Sequence, residues 1–315
     1  DTIALNINLR CGSQVLYLLK SFHAATPKEL YDQLVEIEWE NLIDFSGYFS
    51  VTSNVNNEHI LTPLFANVKV KDAVADRIKA QKGLRPNSGP ELNKAVLHLY
   101  WQDDKADIFI DTSGETLAKH SYRKIPGKAP MLEALATSTI MATNWDRNST
   151  FVNPMCGSGT LAIEAALLAT DKRPGLFRMN YAFMHIMGYD ETVFFTERRK
   201  LKDRAKKETG FKIIATDISD DAIDIAKKNA NTAGVEHLID FAVCDFAETE
   251  VPEQPGVIMF NPEYGERLGV HTKLEITYKR VGDFLKQQCK GYRGYVFTGN
   301  PDLAKKIGLR PARRI

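Results

Sequence analysis

Residues 150–169 read Thr-Phe-Val-Asn-Pro-Met-Cys-Gly-Ser-Gly-Thr-Leu-Ala-Ile-Glu-Ala-Ala-Leu-Leu-Ala. The run Thr150 to Asn153 predicts a strand, the proline and glycines a tight loop, and Thr160 to Ala169 a helix. The same strand, loop and helix order recurs toward the C-terminus. Strands are predicted at Lys212 to Asp217, Leu238 to Val243, Val257 to Asn261 and Gly294 to Thr298. Helices are predicted at Glu191 to Lys207, Asp220 to Ala233 and Leu274 to Lys290. That alternation specifies an open, doubly wound parallel sheet with helices on both faces. Ligands of such sheets bind outside the carboxyl ends of the strands, so the informative residues should stand just after each strand.

They do. After the first strand, Asn153, Pro154, Met155, Cys156, Gly157, Ser158, Gly159 and Thr160 form a loop that lets a ligand approach the backbone and opens a helix with free N–H groups. Such a loop on its own can also simply turn the chain. The second strand ends in Asp217-Ile218, which places a carboxylate where both hydroxyls of a ribose can donate to it. Helix capping is the competing role, and Ser219 and Asp220 stand ready to fill it instead. The third strand ends before Asp245 and Phe246, a pair suited to hold an adenine amine and cover its ring. The fourth is followed by Asn261-Pro262-Glu263-Tyr264. An Asn side-chain oxygen and a proline-stiffened carbonyl can both accept from a planar base amine, while the tyrosine stacks on the base. A nicotinamide oxidoreductase fits less well, because the glycine loop lacks GxGxxG and that last corner would have no role.

Toward the N-terminus the texture changes to short β-rich runs mixed with amphipathic helices, with no glycine-rich nucleotide loop. Thr26 and Pro27 start a helix over Pro27 to Val35. Phe49 to Ser53 predicts a strand. Asn67 to Lys82 predicts a helix that buries Val70, Val74 and Ile78 and stops at Gly83. Ala95 to Tyr100 and Ala106 to Asp111 predict a strand pair around the turn Gln102 to Lys105. The expected division is an α+β module over 1–115, a linker and helix over 116–149, and the doubly wound domain over 150–315. The polar stretch Ser121 to Lys128 is the expected linker, and Pro130 to Asn144 the helix.

Bulk properties set bounds. A chain of 315 residues has room for two cores. Its formal net charge of +1 gives no whole-chain attraction for nucleic acid, so any such affinity must come from a local basic surface. No run approaches the length of a membrane span and no secretory leader is apparent, so a cytoplasmic protein is expected. Cys11, Cys156, Cys244 and Cys289 are far apart and form no CxxC pair, so neither a metal site nor a disulfide framework is indicated.

These loops resemble the class I methyltransferases that carry an (Asn/Asp)-Pro-Pro-aromatic motif and act on exocyclic amines of adenine or guanine. The match is closer to the THUMP-domain 23S rRNA guanine-N2 methyltransferases, which are often labelled N6-adenine-specific DNA methylases. It rests on Asn153 to Thr160 with Ile163-Glu164-Ala165-Ala166, on Asn261 to Leu268, and on Phe297-Thr298-Gly299-Asn300-Pro301. Leu9-Arg10, Val68 to Arg77, Asp111 to Gly114, Ser121-Tyr122-Arg123 and Ala129-Pro130 extend it over nearly the whole chain.

The resemblance implies a Rossmann-like methyltransferase domain preceded by an α+β THUMP and ferredoxin-like module that grips structured RNA. It also implies S-adenosylmethionine as cofactor, and 23S rRNA or a ribosome precursor as partner. Tyr122 and Arg123 would either close the cofactor pocket or pack the domain junction. Two positions depart from the family's pattern: Asn153 replaces the usual Asp, and Glu263 replaces the second motif proline. The chain also enters partway through the usual N-terminal module and stops before the usual last strands, so a longer protein is expected. Two alternatives stay open, a DNA adenine-N6 methyltransferase and an inactive RNA-binding or assembly protein.

Overall fold

A computed structural model describes residues 1–60, 62–125, 130–264 and 271–314. The chain divides into two compact units, Asp1–Leu117 with Arg178–Leu201, and Ala118–Phe177 with Lys202–Ile315.

The first unit carries helices α1 (Thr2–Asn8), α2 (Pro27–Val35) and α3 (Pro63–Lys82) and strands β1 (Leu16–His23), β2 (Tyr48–Asn56), β3 (Asn87–Ser88), β4 (Ala95–Gln102) and β5 (Lys105–Asp111). The sheet order is β1-β5-β4-β2-β3. β1/β5 and β4/β5 run antiparallel, whereas β2 is parallel to both β3 and β4. Thr26 caps α2 by accepting from the Glu29 amide, and Glu29 reaches back to the Ala25 amide, so the two ends of the first turn satisfy each other. α3 starts four residues before the expected position, where Pro63 supplies a preset φ in the first turn. It ends as expected at a left-handed Gly83. Its buried face of Val70, Val74 and Ile78 packs with Leu30, Leu34, Trp39, Leu97, Leu99 and Trp101. Both tryptophans donate to backbone carbonyls, Trp39 to Leu34 at 2.7 Å and Trp101 to Ala24 at 2.8 Å. β1 lies at the sheet edge and most of it is exposed, so no two-residue hydrophobic alternation marked it in the sequence.

The second unit holds α4 (Glu133–Met141), β6 (Phe151–Pro154), α5 (Thr160–Ala169), β7 (Ile213–Asp217), α7 (Asp220–Ala233), β8 (Ile239–Val243), β9 (Val257–Phe260), α8 (His271–Gln287), β10 (Arg293–Val296) and α9 (Pro301–Lys306), with α6 (Glu191–Arg204) lying between α5 and β7 in the chain. All five strands are parallel in the order β10-β9-β6-β7-β8, so the winding reverses at β6. Alternate residues feed two cores. Phe151, Ile213 and Ala215 pack on α5 and α7, while Val152, Ile214, Ile258 and Phe260 pack on Val281 and Phe284 of α8. Both faces are covered, which is why these strands read as near-continuous apolar runs. α5 is buried almost all round, and its one carboxylate, Glu164, accepts from Thr137 Oγ1 and pairs with His120 Nδ1 at 2.8 Å.

Two expectations are corrected. The segment 178–201, assigned in the sequence reading to the doubly wound domain, folds with the first unit. Ala182 and Phe183 donate to the Ser113 and Thr112 carbonyls, Arg178 donates to the Ser113 and Glu115 carbonyls, and Phe194 of α6 buries against Tyr181 and Phe183. The expected linker is not a free connection either. Tyr122 is buried in the second unit's core, and the Lys124 and Ile125 amides donate to the Asn229 side chain of α7. Residues 126–129 of that stretch lie outside the described residues. Among the described residues, no helix is long and apolar enough to cross a membrane and no group of three His, Cys, Asp or Glu side chains could hold a metal.

Candidate active site

The loop after β6 is fixed by its backbone. The Cys156 amide donates to the Thr216 carbonyl at 2.9 Å, which ties the loop to β7. Met155, Gly157 and Gly159 all take left-handed φ values. A Cβ on Gly159 would sit 2.9 Å from Ala226 Cβ of α7, so glycine is what lets α5 and α7 pack closely there. A Cβ on Gly157 would meet nothing within 4 Å, so the space over that residue is open. Cys156 is buried, and burial holds its thiol well above the ordinary range, so it stays protonated and unreactive.

Asn153 is the penultimate residue of β6 and is 1% exposed. Its Nδ2 donates to the Met259 carbonyl of β9 at 2.9 Å and to the Pro154 carbonyl at 3.3 Å, while its Oδ1 has no partner. A carboxylate in this rotamer would face the Met259 carbonyl without a proton to give, so the asparagine spans β6 and β9 where the family's aspartate cannot do so in the same way.

Asp217 ends β7 and accepts from the Gly157 amide at 2.9 Å and from the Ser219 amide at 3.0 Å. Ser219, not Asp217, caps α7 by accepting from the Ala222 amide. Asp217 is thereby left facing a pocket of about 210 Å³ lined by Met155, Asp217, Ile218, Asp245, Phe246, Thr277 and Arg280. Ile218 is 73% exposed there, an apolar side chain standing at the pocket with little protein over it. Asp245 follows β8, where its Oδ1 accepts from the Ala247 amide and, at 2.8 Å, from Arg280 of α8. Phe246 lines the pocket but packs mainly inward, edge to face with Phe260 and Phe284, and the Arg280 guanidinium lies 4.9 Å from its ring centre.

Pro262 is buried and Asn261 half-buried, whereas Glu263 and Tyr264 are exposed. Among the described residues the Asn261 side chain makes no hydrogen bond. The Tyr264 ring lies against Gly299, where an added Cβ would come within 3.2 Å of it. Gly299 is held in turn by the Phe297 amide bonding the Phe260 carbonyl and by Asn300 capping α9. Gly265 to Leu268, the remainder of the fourth loop, lie outside the described residues. The structure therefore gathers the loops after β6, β7 and β8 around one pocket, and puts Asn261 to Tyr264 at the end of the neighbouring β9.

The sequence reading missed Thr277 and Arg280. Both sit on α8, far along the chain from the loops they meet, and nothing local distinguishes Arg280 from the other cations of that helix.

A parallel sheet that reverses at β6, with an acidic residue closing β7, a second closing the loop after β8, and Asn-Pro-x-Tyr after β9, defines a Rossmann-like methyltransferase domain. The chain belongs to the RMKL-like methyltransferase family, whose domain model matches residues 120–315, and a THUMP domain model matches residues 24–111. The ribosomal RNA large subunit methyltransferase K/L of Syntrophotalea carbinolica is 34% identical over 96% of this chain and 44% of its own length. The chain spans less than half the length of the curated relatives it matches. Among solved structures, a predicted N6-adenine-specific DNA methylase from Listeria monocytogenes superposes with a TM-score of 0.90 at 28% identity, over 99% of this chain and 82% of its own. SMU.472 in complex with SAH superposes with a TM-score of 0.87 at 26% identity, with the same coverage of the two chains.

Proposed function

We propose that this chain is the catalytic and RNA-gripping part of an S-adenosylmethionine-dependent methyltransferase that forms N2-methylguanine in 23S rRNA, acting in the cytoplasm on the rRNA or a ribosome precursor. One observation carries the chemistry: Asn261, whose side chain makes no hydrogen bond among the described residues, follows β9, the strand beside the one that leads into the glycine loop, and Asn153 bridges those two strands at 2.9 Å. A group that orients an amine thus stands beside a loop built for a nucleoside cofactor. The relatives' name carries the choice of rRNA.

The residues present fit S-adenosylmethionine. Asp217 has lone pairs left for the ribose hydroxyls, and Ile218 offers an uncovered apolar face for a purine. Asp245 can accept from the adenine amine beside Phe246, the space over Gly157 is open, and the buried Asn153 Oδ1 lacks a donor that an ammonium group would supply. Asn153, Pro154, Cys156, Gly157, Ser158, Gly159 and Thr160 would hold the amino-acid end, and Asp217, Ile218, Asp245 and Phe246 the nucleoside. When bound, this cofactor supplies a methyl group on a sulfonium, which a neutral amine can attack without strong acid or base help.

The protein's own task is to aim the amine. Asn261 Oδ1 and the Pro262 carbonyl accept its two N–H bonds, which points the nitrogen lone pair along one direction. Tyr264, half exposed and backed by Gly299, stacks on a base flipped out of its helix. Glu263, exposed beside them, takes the place of the rigid second proline and lets the corner adjust its acceptor geometry. We assign RNA gripping to the THUMP-matched residues of the first unit, and catalysis to the residues from Ala118 onward apart from 178–201.

The test is transfer of labelled methyl from S-adenosylmethionine to unmodified 23S rRNA and to unmethylated duplex DNA, with nucleoside analysis of the product. Labelled N2-methylguanosine in RNA supports the reading. N6-methyladenine in DNA instead supports the alternative that the Listeria neighbour's description raises, and cofactor binding with label in neither supports an inactive assembly protein.

A further inference from the structure

Arg123 contributes nothing to the pocket lining, yet it makes the densest set of polar contacts around the glycine loop. Its Nε donates to Glu133 Oε1 at 3.0 Å, Nη1 to Ser158 Oγ at 3.1 Å, and Nη2 to the Met131 carbonyl at 2.6 Å and to Thr160 Oγ1 at 3.0 Å. Its side chain is 10% exposed and that of Glu133 is 4% exposed, so the charge is neutralised inside the protein. Arg123 is therefore no counter-ion for a ligand.

What it does to the loop follows from its chemistry. A guanidinium only donates, so the Ser158 and Thr160 oxygens that face it must accept, and their own protons must be given elsewhere. The two oxygens lie 3.4 Å apart, so one proton can pass between them and the other remains for a third group. Both hydroxyls stand where the loop enters α5, among backbone N–H groups that a helix start leaves unpaired. Without Arg123, either hydroxyl could rotate and present a lone pair to that space. With it, the space is lined by donors and suits an anion.

We infer that Arg123 is a positioning residue that orients the Ser158 and Thr160 hydroxyl pair so that one donates to the other and the second donates toward the carboxylate at the amino-acid end of S-adenosylmethionine, with Glu133 and the Met131 carbonyl holding the guanidinium in place. This rests on the cofactor reading given above. The nucleoside end sits in the pocket lined by Asp217 and Ile218 and does not depend on the clamp.

That separation supplies the test. Calorimetric binding of S-adenosylmethionine is compared with binding of 5′-methylthioadenosine, which has the same nucleoside and a neutral thioether in place of the sulfonium, but no amino-acid end and so no carboxylate. Arg123→Lys keeps the charge and loses the fork. The double variant Arg123→Met with Glu133→Leu removes both charges and so leaves no buried ion unpaired. Each should weaken S-adenosylmethionine by about tenfold, the value of a hydrogen bond to a charged group, and leave 5′-methylthioadenosine within about twofold. Ser158→Ala added to Arg123→Lys should cost less than the sum of the two single changes.

Equal weakening of both ligands would mean that Arg123 merely holds the loop together, and unchanged binding of both would mean that it does nothing for the ligand; either result overturns the assignment. If the wild type binds neither ligand, the cofactor reading fails and takes this assignment with it. If it binds both but methylates no nucleic acid, the substrate reading fails and the binding comparison still decides the role of Arg123.

Discussion

Two aspartates, Asp111 and Asp217, each end a strand and each accept two backbone amides, one in either unit. Asp111, at the end of β5, accepts from the Ser113 and Gly114 amides and from Gln14 Nε2 at 2.7 Å, and it is fully buried. Asp217, at the end of β7, accepts from the Gly157 and Ser219 amides but faces a pocket. The first closes a joint and the second leaves capacity for a ligand. Sheet direction makes the difference. In the mixed sheet of the first unit, β5 runs antiparallel to both of its neighbours, β1 and β4, so their carboxyl ends lie at the opposite edge and Asp111 is spent on a local turn. In the all-parallel sheet of the second, every carboxyl end reaches the same edge, and residues from distant parts of the chain meet there.

The comparison can be broken at several points. The largest effect is expected at Trp39, which is fully buried and bonded to the Leu34 carbonyl. Trp39→Ala should cost the first unit about 4 kcal/mol in denaturant unfolding while S-adenosylmethionine affinity stays unchanged. A parallel loss of cofactor affinity would show that the two units do not act separately. Next comes Asn261→Ala, for which we expect turnover to fall about 100-fold, with S-adenosylmethionine affinity within about threefold of wild type. Single-turnover rates and calorimetry decide this, and unchanged turnover removes the role assigned to Asn261.

Asp217→Asn keeps the shape and removes the charge. It should weaken S-adenosylmethionine by about tenfold, measured by the same calorimetry. The matching change Asp111→Asn should leave that affinity alone, because its carboxylate has no ligand to serve.

The smallest effect is on pH dependence. Burial raises the Asp111 carboxyl above its usual range, and the bonds from Gly114, Ser113 and Gln14 only partly offset this. A raised folded value means that the folded state holds the proton more tightly. Its contribution is therefore full below the unfolded value of about 4 and is lost as pH rises through the folded value. The wild type should lose stability relative to Asp111→Asn over that window, read from urea midpoints on either side of it. A flat difference would place the buried charge elsewhere.

Much of the second unit was legible because its signals are local. α5 and α7 fall on their expected boundaries, since Gly159 and Ser219 mark their starts and Gly234 stops α7. Strand ends carried the candidate site, and Asn153, Asp217 and Asp245 all lie at one edge as the winding rule requires. The misses were non-local. Glu191 to Lys207 reads as another helix of the doubly wound domain, and only contacts such as the backbone pairing of Ala182 and Phe183 with Ser113 and Thr112 assign segment 178–201 to the first unit. Ser121 to Lys128 reads as polar and therefore exposed, whereas Tyr122 is buried and Arg123 is enclosed by acceptors from two separate stretches of chain, 131–133 and 158–160.

The sequence by itself determined the element order, the parallel winding and the residue types at the strand ends, because these follow from periodicity, capping and turn chemistry within a few residues. The tertiary structure alone decided which polar groups were already spent. Asn153 commits its amide nitrogen to β9 and keeps its oxygen, Asp245 is engaged by Arg280, and Ser158 and Thr160 are held as acceptors by Arg123. The physical reason is that a hydrogen-bonding group has a fixed number of donors and acceptors, and which of them remain for a ligand depends on neighbours that the chain brings up from far away.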